Sequence, residues 1–236
     1  MGVAHDAASE SHTGTTGSAS EASFSWTHTP VGTPAGVVVF TYVRANADDA
    51  LSVTYGGVSM TAVPNARAVD TVGEPRDCKA WFLGSNVPAG AQTVEVTRTN
   101  NANIMWAACA TVTAAGETEV AQGSISTAAV DFPGQTRGIP TGPGVNSEAN
   151  CMGYFGLHSA LAAVPAMAAN TTLLNSIDFG SDIALMGRLT TAATPSTVAF
   201  GWSSGTSDDT AAVWLAVQET QVPRIHQAQD HFRRAI

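Results

Sequence analysis

Short apolar runs separated by turn residues make up most of this 236-residue chain. Residues 37–43 (VVVFTYV) are β-branched or aromatic throughout, which predicts a central strand buried on both faces. Residues 51–55 alternate apolar and polar side chains and end at Gly56-Gly57, so we expect a hairpin with residues 58–63 as its second strand. Further strands are predicted at residues 23–27, 78–83, 92–99, 104–113, 120–125, 129–132, 151–157, 183–189 and 197–202.

Four segments fit the strand pattern less clearly. Residues 135–150 are rich in glycine and proline and predict a loop. Residues 159–169 are alanine-rich and compatible with a short helical turn, and residues 226–234 with a short helix after Pro223. Residues 210–220 (TAAVWLAVQET) fit a helix or a strand, and their apolar centre after a Ser/Gly/Asp turn favours a strand. The sequence shows no repeat at a fixed period.

Many short strands without βαβ alternation predict an all-β fold. We expect a two-sheet antiparallel β-sandwich with jelly-roll-like connections over residues 21–220. Residues 1–20 (MGVAHDAASESHTGTTGSAS) are small and polar, which predicts an extended N-terminal arm. Such an arm is flexible unless a partner or the protein's own surface holds it. Residues 221–236 are predicted to form a short C-terminal tail.

Charge is scarce and unevenly placed. Charged residues are 12% of the chain and the net charge is −9, which argues against generic nucleic-acid binding. Weak surface charge suits a protein that neighbouring subunits partly cover. In residues 221–236 three arginines against Asp230 leave +2. This tail, with its cations Arg224, Arg233 and Arg234, is therefore the candidate partner-binding segment. The alternative is a solvated chain end.

The cysteines and the chain start bear on the compartment. The three cysteines, Cys78, Cys109 and Cys151, lie in apolar settings. We therefore expect three reduced core thiols, in keeping with assembly in a reducing cytoplasm. The alternative is one disulfide and one free thiol. The N-terminus lacks the charged and apolar regions of a secretory signal. No apolar run reaches transmembrane length, so no membrane partner is expected.

One segment resembles a catalytic motif. Residues 201–205 read G-x-S-x-G, the nucleophile elbow of α/β-hydrolases, with acids and imidazoles following at Asp208, Asp209, His226 and His231. The elbow requires a strand, a turn and then a helix. Here a turn and a strand-like run follow Ser203, so we interpret the motif as a hairpin turn and predict no catalytic residue.

Other polar and aromatic residues have simpler explanations than a site. The carboxylate pairs Asp48-Asp49 and Asp208-Asp209 are candidate Ca²⁺ ligands, but they lack EF-hand spacing and fit turns at strand ends. The histidines lack metal-site spacing and are interpreted as surface or partner contacts: His5, His12, His28, His158, His226 and His231. The tryptophans lie in apolar runs and favour core packing over a sugar-binding face: Trp26, Trp81, Trp106, Trp202 and Trp214. No metal or cofactor is predicted.

The order of several core and turn segments resembles a loose group of β-sandwich structural proteins of tailed bacteriophages and prophages. The segments are Gly36–Phe40, Ser52–Thr61, Trp81–Leu83 with Val87–Val96, and Ala211–Val217. Together the resemblance covers roughly residues 23–113 and 196–219. It implies a structural role without catalytic residues, and it does not extend to the N-terminal arm or the basic tail.

The resemblance, together with the low charge and the polar chain ends, implies a non-enzymatic virion structural protein. A capsid decoration or head-fibre protein, or a tail component, is expected, which would act through subunit–subunit contacts. Its expected partners are capsid or tail subunits of the same virion and further copies of itself, and its location is the virion, assembled in the bacterial cytoplasm. The alternative is a carbohydrate-binding, lectin-like module or adhesin with exposed aromatic rings; a hydrolase using Ser203 is a weaker third reading.

Overall fold

The computed structural model describes residues 2–12, 22–44, 48–71, 75–99, 104–114, 120–129, 135–138, 151–160, 163–178, 182–192, 198–202 and 210–219. These residues form sixteen strands and no helix, which confirms the predicted all-β class. The strands are β1 Val3–His12, β2 Ser23–His28, β3 Gly36–Val43, β4 Ala50–Tyr55, β5 Val58–Ser59, β6 Thr61–Asp70, β7 Arg76–Leu83, β8 Gln92–Arg98, β9 Met105–Ala114, β10 Val120–Ala129, β11 Gln135–Gly138, β12 Met152–Ser159, β13 Thr171–Asp178, β14 Ile183–Leu189, β15 Ala199–Trp202 and β16 Thr210–Glu219.

The described strands pair antiparallel in four sheets, so the prediction of two sheets is wrong in number. We name them by position. The central sheet has the order β1-β9-β3-β7-β6, and the outer sheet has the order β2-β8-β4-β5. The distal sheet has the order β10-β16-β12-β14-β13, and the small sheet pairs β11 with β15.

The central sheet is buried on both faces. All eight residues of β3 are buried, as its sequence predicts. Val37 and Val39 join one core cluster with residues of the outer sheet, including Val53. The alternate residues Val38 and Phe40 join a second cluster with residues of the distal sheet, among them Leu157, Leu185 and Leu215. Because successive side chains of β3 point to opposite faces of the sheet, this one strand packs against both the outer and the distal sheet.

The two halves of the chain repeat one strand order. Each distal-sheet strand occupies the place of a central-sheet strand, and the small sheet matches the β2–β8 pair of the outer sheet. The match extends to register, because β1 and β10 each have ten residues and a bulge after the third paired residue. We call residues 3–114 the first repeat and residues 120–219 the second repeat.

Matched positions of the two repeats contact each other. The registers place Phe40, Tyr42 and Arg76 in the same positions as Gly156, His158 and Asp182. The rings of Tyr42 and His158 are 6.4 Å apart, and Arg76 Nε lies 2.7 Å from Asp182 Oδ1. Equivalent residues of the two repeats therefore lie opposite each other across the core between β3 and β12.

The N-terminal arm predicted for residues 1–20 is not an arm over residues 3–12. These residues form β1, the edge strand of the central sheet, and pair with β9 from Val3↔Ala114 to His12↔Trp106. Their own side chains have low strand propensity, and the buried apolar residues of β9 supply the partner that composition does not reveal. Residues 13–21 and the predicted tail 221–236, with its proposed helix, lie outside the described residues.

Three smaller expectations also change. Within the predicted loop 135–150, residues 135–138 form β11, and the remainder lies outside the described residues. Residues 163–169 are not helical, and Met167 forms a single β-bridge with Trp202. Residues 171–178 form β13, which the polar–apolar pattern does not predict. The strand interpretation of residues 210–220 is confirmed by β16.

The close approach of β3 and β12 gives a first testable prediction. A Cβ at Gly156 would lie 2.7 Å from Phe40 Cδ1 and 3.0 Å from Cys78 Sγ, far inside normal contact distances. We expect Gly156→Ala to lower the free energy of unfolding by about 1–3 kcal/mol through overpacking. In urea titrations, the loss in a Phe40→Leu/Gly156→Ala double variant should be smaller than the sum of the single losses. Additive losses would contradict direct packing.

Candidate functional site

A chain of polar side chains joins β1, β2 and β9 at one end of the first repeat. Trp26 Nε1 donates to Ser9 Oγ at 2.8 Å, and Ser9 Oγ lies 2.8 Å from His28 Nδ1. His28 Nε2 lies 3.1 Å from Thr111 Oγ1, which donates to Asp6 Oδ2 at 2.9 Å. We call these five residues the polar seam.

Local backbone geometry places the carboxylate of the polar seam. The bulge in β1 between His5 and Ala7 lies at Asp6. The Asp6 carboxylate also accepts hydrogen bonds from the backbone N–H groups of Val31 (3.1 Å) and Gly32 (2.8 Å). A bulge re-aims a side chain in this way. Asp6 therefore ties the β2–β3 connection to the start of the chain.

One hydrogen bond of His28 has a fixed direction. Because Thr111 donates to Asp6, its oxygen accepts from His28 Nε2–H. Burial lowers the pKa of His28, because it disfavours the charged ring. A serine hydroxyl beside an imidazole is also the composition of a nucleophile–base pair. Here Ser9 Oγ also accepts a hydrogen bond from Trp26 Nε1–H. The arrangement therefore fits a structural link between β1 and β2, the edge strands of the central and outer sheets.

A second polar group lies between the repeats. Asp182 is 1% exposed, and its carboxylate pairs with Arg76 at 2.7 Å and Arg44 at 3.0 Å. His158 Nδ1 donates to the backbone oxygen of Asp77 at 3.2 Å, and Tyr42 Oη donates to the backbone oxygen of Leu185 at 2.7 Å. Burial lowers the pKa of His158 to about 3. We call this group the inter-repeat cluster, and it locks the two repeats in one register.

The structure places only part of the residues that the sequence singles out. The predicted partner-binding arginines and the hydrolase-motif candidates lie outside the described residues: Arg224, Arg233, Arg234, Ser203, Asp208, Asp209, His226 and His231. Asp49 is buried and pairs with Arg98 at 3.0 Å, while Asp48 pairs with Lys79 at 2.8 Å. The neighbouring carboxylates therefore bind two different cations, and Asp49 lies directly before β4, at a strand end as the sequence predicts.

The histidine, tryptophan and cysteine predictions have different outcomes. His28 and His158 are buried, so their interpretation as surface contacts is wrong. Trp81, Trp106, Trp202 and Trp214 are buried, which confirms core packing for them; Trp26 is half-buried. The predicted core thiols are confirmed, because all three cysteines are buried and free: Cys78, Cys109 and Cys151.

Sequence reasoning missed both polar groups for one reason. Ser9, Asp6 and His28 lie in segments that read as an arm and an exposed strand, and they meet only after β1 pairs with β9. Asp182 and Arg76 are far apart in the chain, and each reads as a loop or strand-end charge. Charged residues are mostly exposed and are rarely buried unless paired, so a lone charge in the sequence gives no signal of either group.

No protein-family model matches the chain, and no curated protein and no solved structure is significantly similar to it. Among the residues that the structure describes, no helix is long and apolar enough to span a membrane. The same residues contain no group of three or more His, Cys, Asp or Glu side chains that could hold a metal ion.

The pKa of His5 predicts how acid acts on β1. Burial, with Arg188 nearby, lowers the pKa of His5 to about 4 from 6.5, and its Nδ1 lies 3.2 Å from Tyr154 Oη. Between these values the unfolded chain binds a proton that the folded protein does not, so His5 costs stability as pH falls from 6.5 toward 4. In urea titrations, the free energy of unfolding of wild type should fall more between about pH 7 and about pH 4.5 than that of His5→Gln. Parallel pH profiles would contradict this.

Proposed function

We propose that the first repeat is a jelly roll. Met60 is the single residue between β5 and β6, and its N–H donates to Val53 O of β4 at 2.9 Å. We therefore count β5 and β6 as one bent strand that passes from the outer to the central sheet. Numbered in this way, eight strands have the order first-eighth-third-sixth in one sheet and second-seventh-fourth-fifth in the other. This is the order of two interlocked Greek keys. The second repeat carries a shortened version of it.

We infer that the chain is a virion structural protein of a bacteriophage that acts through contacts and not through catalysis. The observation that carries this is the pair of jelly-roll-like repeats, packed back to back through a continuous buried core. Jelly rolls are a common building block of viral capsids. A doubled block with one continuous core is a rigid body, which suits capsid decoration, a head fibre or a tail component.

The physical chemistry of the chain supports assembly with neighbours. With 12% charged residues, the protein has little charge to keep copies apart. Among the described residues, the polar side chains of the polar seam and the inter-repeat cluster join strands and repeats. Partners are therefore capsid or tail subunits of the same virion, together with further copies of this chain. The resemblance to phage sandwich proteins agrees with this assignment.

Particle composition tests the proposal. In a strain that carries the gene and releases particles, mass spectrometry of purified particles should find this chain in a fixed ratio to the major capsid or tail protein. Particles that lack the chain, from cells that express it, would reject a virion role. Because repeated weak contacts add up over a symmetric lattice, a constant copy number per particle is the expected signature.

The basic tail gives a separate prediction. A Δ221–236 variant should fold normally but enter particles at a much lower level, since Arg224, Arg233 and Arg234 supply its cations. An Arg224→Gln/Arg233→Gln/Arg234→Gln variant of the full chain separates charge from length. Far-ultraviolet circular dichroism checks the fold, and quantitative mass spectrometry checks incorporation. Wild-type incorporation of both variants would contradict a docking role for the tail.

A further inference from the structure

The sheet edges of this protein are protected unequally. The described edge strands of the central and distal sheets each contain a register shift: β1 between His5 and Ala7, β6 between Ala62 and Arg67, β10 between Gln122 and Ile125, and β13 between Leu173 and Asn175. Bulges of this kind prevent an edge strand from pairing with another chain. In the outer sheet, β5 has only two residues and offers almost no edge.

The β2 edge lacks this protection. All six residues of β2 pair with β8 without a shift, from Ser23↔Thr97 to His28↔Gln92. The strand carries no charged residue, and no described strand pairs with its other side. A regular, uncharged edge is the kind that accepts a further strand.

Backbone alternation shows which groups face outward from this edge. Arg98 N donates to Ala22 O, so Ala22 and every second residue after it direct their backbone groups at β8. The backbone N–H and C=O groups of Ser23, Ser25 and Thr27 therefore point to the free edge. The side chains of these three residues are exposed, whereas Phe24 and His28 are buried.

We propose that β2 pairs with β2 of a second copy of this chain, antiparallel about a twofold axis at Ser25. This register places Ser25 opposite Ser25 of the second copy and Ser23 opposite Thr27 of the second copy, so six backbone hydrogen bonds form. Phe24 then lies opposite Trp26 of the second copy on the inner face. The hydroxyl side chains of Ser23, Ser25 and Thr27 then meet hydroxyls, and the Phe24 and Trp26 rings meet each other.

Charge and symmetry favour a second copy over a different partner. The chain has a net charge of −9, and β2 carries no charged residue, so like charges do not oppose each other across this strand pair. A twofold contact uses one surface on both chains and closes after two. The inference does not depend on the virion assignment, because the dimer should form in the purified protein.

Cysteine cross-linking tests the pairing. Opposed hydrogen-bonded residues have Cα atoms about 5.5 Å apart, which a disulfide can span. Under mild oxidation, Ser25→Cys should convert the 24.1 kDa chain to a disulfide-linked species of twice that mass, and the three native thiols are buried. The matched control is Thr93→Cys, which is also exposed on the same face but lies one strand inward. It should form no disulfide-linked species.

A proline variant shows whether backbone pairing causes the cross-link. Adding Thr27→Pro to Ser25→Cys removes an outward N–H, and a proline is tolerated on an edge strand when its nitrogen faces solvent. The double variant should keep its circular dichroism spectrum and cross-link at least about tenfold more slowly. Equal cross-linking of Ser25→Cys and Thr93→Cys, no Ser25→Cys dimer, or no effect of Thr27→Pro would overturn the proposal.

Discussion

Removing residues 1–12 should abolish folding. The deletion takes away β1, whose pairs with β9 run from Val3↔Ala114 to His12↔Trp106. It also removes Asp6 and Ser9 from the polar seam and leaves the buried His28 and Thr111 without these partners. Each buried unpaired group costs about 1–3 kcal/mol, and the sum with the lost strand approaches a typical total stability of about 5–15 kcal/mol. Circular dichroism and thermal melting measure the loss.

A peptide and a second truncation serve as controls for this result. Adding a synthetic peptide of residues 1–12 to the truncated chain should restore the folded signal, as strand addition does elsewhere. Removing residues 221–236 instead should leave the melting temperature unchanged. A truncated chain that melts like wild type would show that β1 contributes little and that these residues are, after all, an arm.

Asp182→Ala should be the most damaging single substitution in the inter-repeat cluster. It leaves Arg76, whose side chain is 4% exposed, without the carboxylate 2.7 Å away, and it also frees Arg44 from its 3.0 Å contact. Removing one partner of a buried ion pair costs about 3–5 kcal/mol, because the other charge stays buried. Urea denaturation followed by tryptophan fluorescence measures the change.

Two further variants separate pairing from packing. Replacing both charges in Arg76→Met/Asp182→Leu should recover most of the lost stability, since apolar residues of similar volume replace buried pairs well. Asp48→Ala breaks the exposed pair with Lys79, where Asp48 is 48% exposed, and should cost less than about 1 kcal/mol. Similar losses for Asp48→Ala and Asp182→Ala would refute the role of burial.

The sequence predicts strands well where apolar periodicity is strong. The runs at β3, β4, β7, β8, β9 and β16 and the Gly56-Gly57 hairpin are visible from side-chain order alone, and both glycines have the positive φ that the turn needs. Strands β1 and β13 are not visible, because small and polar residues form them only where a neighbouring apolar strand offers pairing. The layer order depends on such contacts and has no local signal.

The duplication is hidden for a different physical reason. Val3 and Val120, Ala4 and Ala121, and Leu83 and Leu189 match, but most equivalent positions differ. Where equivalent residues meet across the core, two identical large side chains would collide, and Phe40 instead faces Gly156 and Tyr42 faces His158. Packing thus favours divergence at the positions where a repeat would be easiest to recognise. The polar seam and the inter-repeat cluster are equally invisible, because each combines residues distant in sequence.

The unlike charges of the inter-repeat cluster have a consequence for the two halves as separate chains. If each half were produced alone and packed against a copy of itself in the same way, two first halves would bring Arg76 against Arg76, and two second halves would bring Asp182 against Asp182. Only the mixed pair joins opposite charges, so co-expressed fragments should select each other and reject copies of themselves. Because one polypeptide contains both halves, each first half always has a second half beside it, and the two are always present in equal amounts.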